Sequence, residues 1–166
     1  MRDKGYAAVT SRALAARAGL KPQLVHYYFR TMDDLFLALW QRRAESLFEQ
    51  QDAILKSPKP LKASWELTCD SHDVVLSYEF VALANHRKII RAEIAEFGDR
   101  FRERQLKILS GLLEKKSKVV GWPPIVTLIM LDSLARMLAV EGALGMKVGH
   151  VKARAAVGRL IKHLER

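Results

Sequence analysis

The chain has 166 residues, of which 49% are hydrophobic, and carries 28 Lys+Arg against 18 Asp+Glu for a formal net charge of +10. This composition excludes disordered and collagen-like polymers and is enough to build a packed core. A single cysteine, Cys69, excludes an internal disulfide and a cysteine-based zinc centre, and no apolar run has the length of a signal sequence or membrane span. The expected setting is therefore the cytoplasm. The basic excess is +3 over residues 1–50 and +7 over 51–166, so charge alone places no polyanion site.

Taken in chain order, the apolar residues recur at three- and four-residue steps, and no segment alternates as a strand does. Thr10 reads as the N-cap of a short helix Ser11 to Ala18, with Gly19 just past its end. Pro22 suits the first turn of a second helix, Pro22 to Phe29, because its missing N–H has no helical partner there in any case. Thr31 and Asp34 form a capping box for a third helix, whose stripe is Leu35, Phe36, Leu39, Trp40, Leu47 and Phe48. The segment Lys56-Ser57-Pro58-Lys59-Pro60 cannot continue that helix and marks a boundary. Further helices are expected near 61–84, 87–97, 99–117, 124–144 and 150–165. The helix 124–144 is apolar around most of its circumference and should be buried on several sides. The fold class is all-α, with a head of residues 1–50 and a helical body of 51–166.

The window Ser11 to Arg30, SRALAARAGLKPQLVHYYFR, has the spacing of a helix-turn-helix. Such a unit needs a small residue where the helices cross, a residue tolerant of positive φ in the turn, and apolar residues locking the second helix onto the first. Ala15, Gly19 and Leu14/Leu20/Val25 occupy those places. The free face of the second helix would offer Gln23, His26 and Tyr27, with Lys21 at its start. Gln can bond adenine through both amide atoms, and Lys, Tyr and His can bond phosphates. An ordinary helical hairpin with a solvated face has the same periodicity, so spacing leaves both readings open.

The string Gly5-Tyr6, Thr10-x-Arg12-x-Leu14-Ala15-x-x-Ala18-Gly19, Val25-x-Tyr27-Tyr28-Phe29 and Asp33-x-Leu35 resembles the N-terminal DNA-binding domain of the TetR family of transcriptional regulators. The resemblance implies a dimeric, ligand-responsive repressor on a palindromic double-stranded operator. It also implies that Thr10 meets a phosphate, that Arg12 reaches phosphate or a base edge, and that Lys21, Gln23, Leu24, His26, Tyr27 and Tyr28 form the contact surface. Gln23 is then the base reader and Tyr28 a phosphate contact. Three positions depart from the family pattern: Lys21 in place of a Ser cap, Leu24 in place of Thr, and Met32 in place of a phosphate-contacting Lys. Family members also begin with a helix of about four turns that Met1 to Lys4 cannot supply, so the head is expected to lack part of its core. A helical dimeric ligand-binding protein with an incomplete, non-functional DNA-binding head is the alternative.

By the same resemblance the last two helices form a four-helix bundle with a second copy, through Leu134, Leu138, Val157, Leu160, Ile161 and Leu164. A small, mainly apolar effector is expected in the body, lined by Trp65, Cys69, His72, Tyr78, Phe97, Phe101, Met130 and Met137, residue types that equally suit plain core. Cys69, His72 and Asp73 fall at metal-ligand spacing, but partly buried polar packing accounts for them more simply, and no metal or cofactor is expected. Arg100, Arg102, Arg104, Lys107 and Lys115-Lys116-x-Lys118 are read as a solvated face, since Glu103 and Glu114 interrupt them. No nucleophile, base and orienter stand out together, so no catalytic residue is assigned.

Overall fold

The structure, a computed structural model, describes residues 1–69 and 71–166, and the side chains of residues 71–73 and 115–120 lie outside the described set. A 3-10 turn at Tyr6–Ala8 precedes eight α-helices: α1 (Ser11–Ala18), α2 (Pro22–Tyr28), α3 (Met32–Leu55), α4 (Pro60–Thr68), α5 (Ser71–Ala84), α6 (Lys88–Val120), α7 (Pro124–Ala143) and α8 (His150–Leu164). The fold is all-α, with no strand among the described residues.

Two helix boundaries differ from expectation. The predicted helix 61–84 is broken into α4 and α5 at Cys69, whose amide closes the last turn of α4 onto Leu67 and Trp65. No glycine or proline marks that break in the sequence. Conversely, the predicted helices 87–97 and 99–117 are one helix, because α6 runs through Gly98. A glycine inside a helix costs only about 1 kcal/mol, which the packing of a 33-residue helix readily offsets.

The chain divides into two compact units, each discontinuous in sequence because α3, α5 and α6 contribute to both. The first comprises Met1–Leu47 and Val75–Asp99. Its core is Phe36 and Trp40 of α3 against Phe80, Leu83 and Ala84 of α5 and Ile90 of α6. Trp40 meets Phe80 and Phe97 edge-on at 5.0 and 5.4 Å, arrangements that add about 0.5–1.5 kcal/mol each to the burial itself. Met1, Tyr6 and Val9 pack against the same cluster, so the chain preceding α1 covers part of this core. Polar fastenings surround it. The Tyr6 amide donates to Glu79, Arg87 pairs with Asp33 at 3.2 Å, and Arg91 donates to the carbonyls of Ala84 and Asn85 at the end of α5.

The second unit comprises Phe48–Val74 and Arg100–Arg166. Its core joins Leu55, Leu61, Leu109, Leu113, Leu128, Leu131, Val157, Ile161 and Leu164. Pro60 opens α4, and its N-cap Lys59 offers no side-chain acceptor. Glu165, just beyond α8, accepts instead from the amides of Leu61 and Lys62 at 2.8 and 3.1 Å. A carboxylate placed there satisfies free N–H groups and complements the positive end of the helix.

Candidate nucleic-acid interface

The turn between α1 and α2 is built by local chemistry. The Thr10 hydroxyl accepts from the Ala13 amide at 3.1 Å, which starts α1. Gly19 ends it in the left-handed region at φ 67°, and the Leu20 amide returns to the Ala15 carbonyl at 2.9 Å. A side chain at that φ is strained, which explains the glycine. Ala15 is 0% exposed at the crossing of the two helices, where a larger residue would force them apart. Val25 is the buried residue of α2 and fixes its rotation. Leu20 takes no part in the lock: it is 49% exposed, since the left-handed Gly19 turns it outward from the crossing.

Fixing Val25 inward leaves the rest of α2 outward. Lys21, Gln23, Leu24, His26, Tyr27 and Tyr28 are all exposed, and so are Thr10 and Arg12 at the start of α1. Tyr27 is 81% exposed, unusual for an aromatic residue, and meets its neighbour Tyr28 edge-on at 5.2 Å. The face is short and mostly polar, holding an amide, a cation, an imidazole and two phenols beside Leu24. At the start of α3, Thr31 and Asp34 bond each other's amides at 2.9 and 3.1 Å, as the capping box predicts. This fixes the direction in which the chain leaves the recognition helix.

Residues 1–39 match the family described as TetR_N: bacterial regulatory proteins, tetR family. The head is a TetR-family DNA-binding domain. No curated protein and no solved structure matches the chain. The helix-turn-helix and the family together make this a TetR-like transcriptional regulator. Among the described residues, no helix is long and apolar enough to cross a membrane.

Outside the TetR head, the structure distributes the predicted body residues unevenly. Phe97 and Tyr78 belong to the first unit, Phe97 packed against its core and Tyr78 exposed. Trp65, Cys69, Phe101, Met130 and Met137 belong to the second. Trp65 packs against the leucine core, Phe101 stacks on Phe48 at 5.9 Å, and Met130 and Met137 are exposed. The side chains of His72 and Asp73, and with them the metal-ligand spacing of Cys69, His72 and Asp73, lie outside the described set, as do those of Lys115, Lys116 and Lys118. Burial pushes the Cys69 thiol above its usual range, partly countered by Arg154, so the thiol form is favoured.

The residues expected at the subunit seam differ in exposure within the single chain. Leu138, Val157, Ile161 and Leu164 are buried within the single chain, the last three as part of its leucine core. Leu160 packs against that core, and of the six only Leu134 is exposed. The helix α7 is not buried on several sides. One side holds Leu128, Leu131, Ala135 and Leu138, and the other exposes Val126, Ile129, Met130, Leu134 and Met137. Apolar periodicity cannot tell these two sides apart. Sequence reasoning also passed over Gln51 and Gln105, both fully inside the second unit, although each interrupts an apolar stripe.

Proposed function

We propose that the protein is a homodimeric cytoplasmic repressor that binds a palindromic DNA operator and is released from it by a small, mainly apolar effector. The observation that carries this reading is the presence, in one chain, of an exposed recognition helix and an exposed apolar row on α7. The row Val126, Ile129, Met130, Leu134 and Met137 follows helical spacing, and Met137 is 51% exposed. A row of this length is costly to leave in water, and a two-fold axis beside α7 would pair it with itself. A dimer reading successive major grooves of a palindromic site needs its two copies of α2 about 34–36 Å apart.

In this reading Gln23 reads a base edge, while Thr10, Lys21, Tyr27 and Tyr28 hold phosphates and Arg12, Leu24 and His26 complete the surface. The effector acts by favouring a subunit arrangement in which the recognition helices no longer fit the groove spacing, and a tenfold loss of DNA affinity needs about 1.4 kcal/mol of coupling. The test is selection of duplexes from a random library by the full chain, followed by light scattering of the free and bound protein. Enrichment of an inverted repeat by a dimer supports the proposal. A monomer at micromolar concentration, or the absence of any enriched sequence, overturns it.

A further inference from the structure

The corner between α7 and α8 carries apolar side chains that the chain does not cover. Leu144 is 74% exposed, Met146 52%, Val148 100% and Val151 82%. The backbone that presents them is a closed turn. Gly145 and Gly149 take left-handed φ values of 87° and 84°, and the Met146 amide returns to the Glu141 carbonyl at 2.8 Å. Across the corner, Glu141 Oε2 meets His150 Nε2 at 2.9 Å, both side chains partly buried, which ties the end of α7 to the first residue of α8. The exposure of Met146 and Val148 is therefore built into a turn fastened at both ends.

The charge around this corner is of one sign. From Gly142 to Leu164 the chain carries Lys147, Lys152, Arg154, Arg159 and Lys162 and no Asp or Glu. All five cations are exposed. The two carboxylates that bracket the stretch are engaged within the chain, Glu141 with His150 and Glu165 with the amides of Leu61 and Lys62. Among the described residues, no ion pair engages Lys147, Lys152 or Arg159. Val157, Ile161 and Leu164 belong to the leucine core, which sets Lys152 and Arg159, two turns apart on one line, on the outer side of α8. Lys147 stands between Met146 and Val148 in the turn itself.

We propose that this corner docks the protein on an anionic lipid surface, with Leu144, Met146 and Val148 entering the acyl boundary and Lys147, Lys152 and Arg159 meeting headgroup phosphates. Nucleic acid would satisfy the cations and leave Val148 and its neighbours in water. An apolar groove on another protein would cover the neighbours and strip water from the lysines without return. A lipid leaflet accepts both, because interfacial binding adds buried apolar area to attraction by anionic headgroups. Apolar clusters with a polar rim mark contacts of this kind. A second copy of the chain is a poor occupant of the same corner, since like cations would meet across the axis. The contact is peripheral: among the described residues, no helix is long and apolar enough to cross a membrane.

The experiment is flotation of the full chain with vesicles of phosphatidylcholine alone and of equimolar phosphatidylcholine and phosphatidylglycerol. Binding to the anionic vesicles is expected to be about tenfold tighter or more, and to weaken as salt is raised. Two double variants, Met146→Ser with Val148→Ser and Lys147→Gln with Lys152→Gln, change exposed side chains only, so helicity by circular dichroism should match the parent. Each is expected to lose about tenfold in affinity for the anionic vesicles, and the glutamine variant to show a flatter salt dependence. Binding of a random-sequence duplex, measured alongside, should be the same in the serine variant as in the parent. If the serine double variant loses helicity, Val148→Ser alone, at a fully open side chain, makes the same comparison. No binding to anionic vesicles, or equal binding to both compositions, overturns the proposal. Unchanged vesicle affinity in the serine variant also overturns it and leaves only the overall charge of +10 as the cause of binding. Loss of duplex affinity in the glutamine variant with vesicle affinity retained would make the corner a nucleic-acid surface instead.

Discussion

Glu79 on α5 accepts a 2.6 Å hydrogen bond from the Tyr6 amide, so a side chain 73 residues away fastens the segment ahead of the helix-turn-helix. Tyr6 and Val9 pack on the first core beside this bond. Replacing Glu79 by Ala should release the segment and cost about 1.5–3 kcal/mol, the usual range for a hydrogen bond to a charged group. For a chain of this size that is a fall of roughly 3–12 °C in melting temperature. Glu79→Gln, which keeps the acceptor, should recover most of it.

Gly19→Ala tests the turn. The residue sits at φ 67° with open space around a would-be Cβ, so the cost is backbone strain rather than collision. A loss of about 1–2 kcal/mol in stability is expected by chemical denaturation, since left-handed backbone carries roughly that penalty per residue. Affinity for a selected duplex should fall further than stability, because the turn aims α2.

The helix-turn-helix was legible because its determinants are local: Thr10, Gly19, Pro22 and Thr31 each act on backbone within a few residues. What was not legible depends on which wall a helix meets. Leu138 and Met137 are neighbours of similar hydrophobicity, yet one is buried and the other open. The break at Cys69 and the continuity through Gly98 are likewise settled by packing over long sequence separations, against or without local signals. The buried glutamines escaped notice for a related reason: a Gln on an apolar stripe is ordinary at a surface, and only burial makes Gln51 and Gln105 informative.

Gln23→Ala and Lys21→Ala should fail differently. Loss of the amide should relax preference at one operator position by about 1–3 kcal/mol, whereas loss of the cation should weaken all sequences alike and lower the salt slope by about 1. Binding isotherms on a set of single-base operator variants at several salt concentrations separate the two effects. An equal loss of sequence preference in both variants would count against Gln23 as the base reader.

Met137→Asp and Ile161→Asp distinguish the seam from the core. Met137 is exposed and Ile161 lies in the leucine core. The first change should give a folded monomer by light scattering with helicity retained, while the second should unfold the second unit, because an unpaired buried charge costs several kcal/mol. If Met137→Asp leaves a dimer intact, the α7 row is not the seam.

Asp132 makes stability depend on pH. Burial raises its carboxyl pKa, with Arg136, Gln105 and Arg102 only partly offsetting that rise. The folded state therefore holds the proton more tightly than the unfolded state, whose carboxyl titrates near about 3.9. Stability from this group is fully present below that value and declines as pH rises toward the raised folded pKa. Asp132→Asn should remove the decline. The stability gap between variant and parent, measured by urea denaturation, should widen in the variant's favour from about pH 4 upward. A constant gap across pH would contradict the assignment.

The helices α3, α5 and α6 each pass from one compact unit into the other, between Leu47 and Phe48, Val74 and Val75, and Asp99 and Arg100. The unit boundaries thus fall inside helices rather than in linkers. One residue inserted after Asp99 would turn everything beyond it on α6 by about 100°. Arg102, Gln105 and Leu109 would leave their stripe together, although no contact residue had been altered. A residue inserted between Leu144 and Gly149, where the chain is exposed and non-helical, carries no such penalty. Evolution can lengthen this protein at its corners, but along these three helices only in whole turns.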